Sequence, residues 1–178
     1  MKQLILILFL LGAVAYVYQT HHPAANPTPS KQVKKHQVLQ GRVVGIKDGD
    51  TIELLTPDKE THNIRLAHVD TPERGQAFGK RAKEFTSDFC YQQRVSVTVT
   101  NKDRYQRLIG VVTLKGEELN LAIIKAGYGW HYKQYSKSNI HAAAETNARN
   151  KKLGLWSDKR AVAPWDYRAQ KRAASNKK

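Results

Sequence analysis

Two short acidic turns contain the residues of this sequence that are best suited to do chemistry. Residues 48–50 read Asp-Gly-Asp between two apolar runs, and residues 70–73 read Asp-Thr-Pro-Glu after a third. If these runs form neighbouring strands, both turns lie at one rim, where carboxylates and a backbone carbonyl converge. Calcium takes about 6–8 such oxygen ligands, and magnesium takes fewer protein ligands and more water. The alternative is structural, because the same residue types are common in tight turns and helix caps.

Arginines supply the positive half of phosphate chemistry. Arg65 lies within the third apolar run, and Arg104 and Arg107 bracket Tyr105 just before another. A planar guanidinium can bind two phosphate oxygens at once, and it stays charged at any working pH. A charged side chain in an apolar strand pattern is costly unless it reaches a partner or an opening. Arg65 is therefore either a phosphate ligand or an edge-strand surface residue.

Aromatic and basic side chains alternate in the segment after Gly127. Tyr128, Trp130, Tyr132 and Tyr135 lie there with His131 and Lys133 among them. Bases stack on such rings for about 1–3 kcal/mol each. Core packing is the alternative, and it is favoured for Tyr128 and Trp130. The histidines of the chain lack the spacing of a zinc site.

The apolar pattern predicts the elements that would position these residues. Period-2 alternation and turn signals predict strands over 38–46, 51–55, 63–67, 95–100 and 108–114. Spacing of three and four residues predicts helices over 79–92, 119–126 and 140–152. Five strands with a helix between the third and fourth follow the order of an OB-fold. The predicted fold class is α+β: a five-stranded OB-fold β-barrel with about three helices, preceded by an N-terminal signal segment and a linker.

Both ends of the chain differ in composition from the predicted barrel, which spans 38–158. Residues 1–15 have a positive start, an apolar run and a small-x-small ending, which predict a cleaved signal peptide, or an uncleaved anchor reaching residue 18. Residues 16–37 are polar and proline-bearing, as in a disordered linker. Residues 159–178 form a basic tail, disordered from residue 168 onward, where five basic residues stand without an acid. The predicted location is therefore secreted, periplasmic or cell-surface.

The charge of the chain predicts a polyanionic partner. The 178 residues include 30 Lys and Arg against 15 Asp and Glu, a formal net charge of +15. Such an excess favours binding to nucleic acid, an anionic membrane or an acidic polymer, with affinity that falls as salt rises. The single cysteine, Cys90, excludes an intrachain disulfide.

Taken in order, these motifs resemble those of the staphylococcal nuclease (thermonuclease) family. The resemblance covers about residues 38–158. It rests on the segments 46–51 (IKDGDT), 64–66 (IRL), 69–73 (VDTPE), 78–79 (FG), 103–107 (DRYQR), 119–120 (LN), Gly127 and 153–157 (LGLWS).

The resemblance assigns a role to each matching residue. It implies a calcium ion held by the side chains of Asp50 and Asp70 and by the backbone carbonyl of Thr71. Asp48 resembles an outer acid that supports the site, and Glu73 resembles the general base. The residues implied to contact substrate are a phosphate-gripping pair, Arg65 and Arg107, and two tyrosines, Tyr105 and Tyr135. Tyr132 is a further candidate for base stacking, because Lys133 stands where the family has an aromatic residue.

The implied function is a calcium-dependent, sugar-nonspecific nuclease that hydrolyses phosphodiester bonds of DNA and RNA to 3′-phosphate ends. A monomer without an obligate protein partner is expected, with membrane contact only if the N-terminal segment is uncleaved. The alternative is a catalytically silent OB-fold protein that binds nucleic acid. The chain departs from the family at Gln106, where glycine is usual, and at Lys133, where an aromatic residue is expected.

Overall fold

The computed structural model describes residues 36–176. The predicted signal peptide or anchor, and the linker as far as residue 35, lie outside the described residues. Between residues 36 and 176, no helix is both long enough and apolar enough to cross a membrane.

The described chain contains short strands and helices in mixed order. The strands are β1 (Val38–Asp48), β2 (Thr51–Leu55), β3 (Thr61–Leu66), β4 (Val69–Asp70), β5 (Arg94–Lys102), β6 (Leu108–Leu114), β7 (Glu117–Glu118) and β8 (Trp130–His131). The helices are α1 (Gly79–Cys90), α2 (Leu119–Lys125), α3 (Asn139–Asn150) and α4 (Pro164–Ser175), with a 3-10 turn at Gly154–Ser157.

Five of these strands close into a barrel, which confirms the predicted OB-fold. The main sheet runs β3-β2-β1-β5-β6-β7, and a further parallel pairing of β3 with β6 joins its two sides. The parallel register puts Arg65 beside Ile109. Closure by β3 and β6 therefore brings the strand that bears Arg65 next to the strand that follows Arg107.

The barrel core follows the alternation seen in the sequence. Val95, Val97 and Val99 of β5 are at most 4% exposed, while Thr98 between them faces outward. Ile52, Ile64 and other aliphatic residues of the neighbouring strands are fully buried. Burial of one strand face is the main driving force for closing such a barrel, at about 25 cal/mol per Å² of apolar surface.

The C-terminal segment is helical, which corrects the prediction of a disordered tail. Helix α4 begins at Pro164, whose fixed φ suits the first helical position, and Asp166 lies in its first turn. The Trp165 ring stacks on Tyr132 at 5.6 Å with 5° between the planes. This contact with a distant residue gives the helix an apolar anchor that its basic composition does not indicate. The described chain therefore has four α-helices where about three were expected.

Buried Asn120 links helix α2 to the barrel. It is 0% exposed, and its Oδ1 accepts a hydrogen bond from Val112 N at 3.0 Å. Its Nδ2 donates to the carbonyl oxygens of Ala67 at 2.8 Å and Gly110 at 3.0 Å. Ala67 lies in the turn between β3 and β4, so Asn120 also fixes the backbone that leads to Asp70.

Replacing Asn120 with alanine should lower the free energy of unfolding by about 2 kcal/mol or more. Val112 N and the Ala67 carbonyl would lose their hydrogen bonds with Asn120, and each unpaired group costs about 1–3 kcal/mol, while the Gly110 carbonyl keeps the hydrogen bond from Ala67 N at 2.8 Å. Urea denaturation followed by circular dichroism measures the change. Asn147→Ala, at an exposed position of α3, is the matched control and should change stability by less than about 0.5 kcal/mol. Equal effects of the two substitutions would contradict the role given to Asn120.

Candidate active site

The two acidic turns meet at one rim of the barrel, as the sequence predicted. Asp50 Oδ2 accepts hydrogen bonds from the backbone N of Thr71 at 2.7 Å and from its hydroxyl at 2.9 Å. The intervening Gly49 lies so close to Thr71 that a Cβ there would stand 2.8 Å from the threonine Oγ1. Asp50 is 5% exposed and Asp70 is 1% exposed. The hairpin turn and the end of β4 thus place two buried carboxylates together.

Arg65 joins these two carboxylates through one nitrogen. Its NH2 atom lies 2.8 Å from Asp70 Oδ1 and 3.2 Å from Asp50 Oδ2. Its NH1 atom donates to the carbonyl oxygens of Leu66 and Val69, each at 2.9 Å. The guanidinium is therefore fixed on both sides, with its cationic edge directed at the acids.

Arg168 of helix α4 enters the same cluster, although the sequence analysis gave it no role. Its NH2 donates to Asp70 Oδ2 at 2.7 Å, and its NH1 lies 3.2 Å from Asp70 Oδ1. The same NH1 donates to Glu73 Oε1 at 2.6 Å. Arg168 therefore bridges Asp70, which the family resemblance implies to be a metal ligand, and Glu73, which it implies to be the general base. The signal that could have located it is Pro164, a helix-start residue one turn before it.

Burial and mutual repulsion raise the pKa values of two acids in this cluster, Asp48 and Asp70. Burial raises the pKa of Asp70, while the hydrogen bond from Arg168 opposes that rise. Burial and the neighbouring charge of Asp50 raise the pKa of Asp48 to about 6. Asp48 is held close to Asp50 because its Oδ1 accepts a hydrogen bond from Asp50 N at 3.1 Å. Additional positive charge at this point would relieve both effects.

A hard divalent cation fits the chemistry of this donor set. Asp50 Oδ2 and Asp70 Oδ1 both contact the NH2 atom of Arg65, so the two carboxylates lie close enough together to share one ion. Oxygen donors of this kind suit calcium or magnesium rather than zinc or copper. Within 36–176, however, no three His, Cys, Asp or Glu side chains are grouped as metal ligands. A site here would therefore use two carboxylates with backbone oxygen and water, as the prediction for Thr71 requires.

Arg107 and Tyr105 form a separate group at the turn before β6. Arg107 Nε donates to Asp103 Oδ2 at 2.8 Å, and Arg107 N donates to Asp103 Oδ1 at 3.0 Å. Partial burial of Asp103 would raise its pKa, but these hydrogen bonds and the Arg107 charge bring the pKa below its usual value. Tyr105 is 65% exposed, and its hydroxyl accepts a hydrogen bond from Arg104 at 2.7 Å. The structure thus pairs Arg107 with Asp103, a partner that the sequence analysis did not assign.

Gln106 adopts a backbone conformation that favours glycine. Its φ is 64°, and its N donates to the Asp103 carbonyl at 3.0 Å to close the turn. A residue with a Cβ is strained in this left-handed region by about 1–2 kcal/mol. The turn therefore keeps the shape that a glycine would allow, and Arg107 still closes it by accepting a hydrogen bond from Asp103 N at 3.0 Å.

The aromatic residues divide between packing and exposed surface. Trp130 is 4% exposed and packs edge-on against Trp156, in agreement with the packing alternative. Burial and then the charge of Asp70 raise the pKa of Tyr132. Tyr135 is 72% exposed and meets the Tyr132 ring edge-on at 4.8 Å. Tyr135 thus offers an open ring face, while Tyr132 is covered on one side by Trp165.

Comparisons with known proteins agree with this geometry. The sequence profile described as "Staphylococcal nuclease homologue" matches residues 63–158. The chain is 43% identical over 131 residues to an "uncharacterized endonuclease" of Haemophilus influenzae, covering 74% of each protein. It is 38% identical over 149 residues to a "micrococcal nuclease" of Shigella flexneri, covering 78% of this chain and 85% of that protein. An "uncharacterized endonuclease" of Escherichia coli O157:H7 is 37% identical over 134 residues, covering 75% and 87%.

Replacing Asp48 with asparagine should stabilise the metal-free protein at pH 8 and leave it nearly unchanged at pH 4. The folded-state pKa of Asp48 is about 6 against an ordinary 3.8, so the unfolded chain ionises first as pH rises. The folded protein with Asp48 therefore loses stability as the pH rises from about 4 to about 6. Asparagine avoids that loss, which we expect to be about 1–2 kcal/mol for a partly exposed group.

Chemical denaturation in EDTA across pH 4–8 measures this difference. The control is Asp88→Asn, at an exposed position of α1, whose effect should not vary over the same pH range. A D48N effect that is equally large at pH 4 would contradict the electrostatic explanation.

Replacing Gln106 with glycine should raise the free energy of unfolding by about 0.5–1 kcal/mol. Relief of the left-handed backbone strain exceeds the entropy that glycine adds to the unfolded chain. Thermal and urea unfolding measure the change. The matched control is Gln134→Gly, because the φ of Gln134 is not positive; there glycine should be neutral or destabilising. If both glycines destabilise the protein equally, the turn is not strained.

Proposed function

Since this chain belongs to the staphylococcal nuclease family, we propose that it is a calcium-dependent nuclease that hydrolyses phosphodiester bonds in DNA and RNA. Nuclease activity itself follows from the family and from relatives named as nucleases. The observation that best supports the finer proposal is the convergence of Asp50, Asp70 and Arg65 at one rim of the barrel. Products with 3′-phosphate ends are proposed from the family resemblance.

Asp50, Asp70 and the carbonyl of Thr71 are the groups proposed to hold calcium. When bound, the ion supplies positive charge beside the scissile phosphate and lowers the pKa of a bound water. The side chains of Asp50 and Asp70 are almost fully buried, which limits the water that competes for their oxygens. Asp48 holds the backbone N of Asp50 and so positions that ligand rather than providing one.

Glu73 is the residue proposed to accept a proton from the attacking water. Its side chain is 37% exposed, so water reaches it at the rim while the aspartates stay covered. A general base of this kind contributes about 10²–10⁴-fold to the rate when it lies within reach of the reacting proton. With no ion bound, its contact with Arg168 fixes the direction of one carboxylate oxygen.

Arg65 and Arg107 are the proposed phosphate ligands. They belong to neighbouring elements, because β3 runs parallel to β6 and Arg107 directly precedes Leu108 of β6. Positive groups that are fixed where charge develops stabilise the transition state with little reorganisation. Contacts to phosphate carry no base information, so cleavage should depend weakly on sequence and tolerate both sugars. The net charge of +15 supports a polyanionic substrate.

Replacing Glu73 with glutamine should reduce kcat at least about 100-fold, because glutamine cannot accept the proton. The assay measures cleavage of single-stranded DNA and of RNA in calcium, magnesium or EDTA, with phosphatase-sensitive end analysis of the products. Cleavage by the parent protein should require calcium and leave 3′-phosphate ends.

The control for this assay is Glu117→Gln, at an exposed position of β7, which should retain full activity. Salt-sensitive binding without cleavage in any metal would instead identify a catalytically silent nucleic-acid-binding protein. Unchanged kcat in E73Q would exclude Glu73 as the base while leaving the nuclease proposal in place.

A further inference from the structure

We propose that Arg168 is an intramolecular counter-cation of the metal site and competes with the divalent ion for Asp70. Binding of the ion then requires the Arg168 guanidinium to leave that carboxylate. The inference rests on the proposed function, because it takes Asp50 and Asp70 as the metal ligands. It adds a residue of helix α4, outside the matched residues 63–158, to the group that determines metal affinity.

The hydrogen bonds of Asp70 are the first support. Its Oδ1 accepts from Arg65 NH2 at 2.8 Å and lies 3.2 Å from Arg168 NH1, and its Oδ2 accepts from Arg168 NH2 at 2.7 Å. A carboxylate offers about four lone-pair positions, so three of them are occupied. The side chain is only 1% exposed, which leaves little room for a further ligand. A cation that coordinates Asp70 must displace one of these donors.

Arg168 is the donor that can leave at lower cost. Arg65 is also held by the carbonyl oxygens of Leu66 and Val69 and is 13% exposed. Arg168 is 32% exposed, and its described hydrogen bonds go to Asp70 and Glu73. All residues of α4 after Arg168 that the structure describes are exposed. The Arg168 side chain can therefore turn toward solvent without disturbing a packed helix face.

The charges of the cluster also indicate that Arg168 and a divalent ion compete. Asp50, Asp70 and Glu73 face the positive charges of Arg65 and Arg168, so the guanidinium of Arg168 stabilises the acids when no ion is bound. A divalent ion on Asp70 would lie close to that guanidinium, and like charges at such distances repel. Each cation should thus weaken the binding of the other, and by linkage the effect is reciprocal.

The test measures calcium affinity in the full chain without nucleic acid. Isothermal titration compares the parent protein with Arg168→Gln, Arg168→Lys and Arg172→Gln. R168Q should bind calcium about tenfold more tightly or better, within the 5–150-fold range of such couplings. R168K keeps a charge but loses the two-nitrogen contact, so its calcium affinity should lie between those of the parent protein and R168Q. R172Q, one turn further along α4 and exposed, should match the parent.

Thermal unfolding provides a second test, because a purely structural role of Arg168 would not make the Tm difference depend on calcium. In EDTA, R168Q should have a lower Tm than the parent, because the acids lose a counter-cation. At saturating calcium the difference should largely disappear. A Tm deficit of the same size in both conditions would overturn the proposal.

The outcomes separate this inference from the proposed function. Calcium affinity that is unchanged or weaker in R168Q would overturn the competition, even if the protein cleaves nucleic acid with calcium. Tighter calcium binding in R168Q without cleavage by the parent protein would support the competition and count against the nuclease proposal. Absence of calcium binding in every variant would overturn both.

Discussion

The contact between Arg65 and the two buried aspartates, Asp50 and Asp70, is the interaction on which the rest of the site depends. Burying carboxylates that are 5% and 1% exposed is costly without a counter-charge. Removing one partner from a buried pair costs about 3–5 kcal/mol because the other charge is left uncompensated. Ion pairs therefore hold β3 to the hairpin turn and to the β3–β4 turn, in addition to the hydrogen bonds between the barrel strands. Leu66 N adds a hydrogen bond to the Asp50 carbonyl at 2.8 Å.

Local sequence signals predicted much of this arrangement. Alternation in residues 95–99 and the Asp-Gly turn after β1 gave the strands and the hairpin, because side-chain period and turn chemistry are local properties. The convergence of the two acidic turns followed from placing three consecutive strands in one meander. No local signal predicts the pairing of β4 (residues 69–70) with β8 (residues 130–131), because a strand of two residues is too short to show an alternating pattern.

The C-terminal helix shows where sequence reasoning stops. Residues 168–176 are basic and polar, a composition that indicates solvation, and the structure indeed leaves those after Arg168 exposed. What orders the first half of the helix is contact with residues distant in sequence: Trp165 on Tyr132, and Arg168 on Asp70 and Glu73. Pro164 marks a helix start, but nothing local shows that an aromatic ring and two carboxylates lie within reach. Arg107 is a similar case, since its role as a phosphate ligand was implied by the family resemblance and its pairing with Asp103 was not.

The overall charge of the protein and the charge of its site have opposite signs, and function requires both. A net charge of +15 draws a polyanion toward the molecule, whereas a cluster of unneutralised acids would repel the phosphate at the point of reaction. The two arginines on the acids lower that repulsion without supplying a metal's coordination chemistry. A guanidinium donates hydrogen bonds and cannot lower the pKa of a coordinated water as a divalent ion can. The arrangement seen around Asp70 is therefore a stable resting state for the acids, and catalysis of the proposed kind requires part of it to be exchanged.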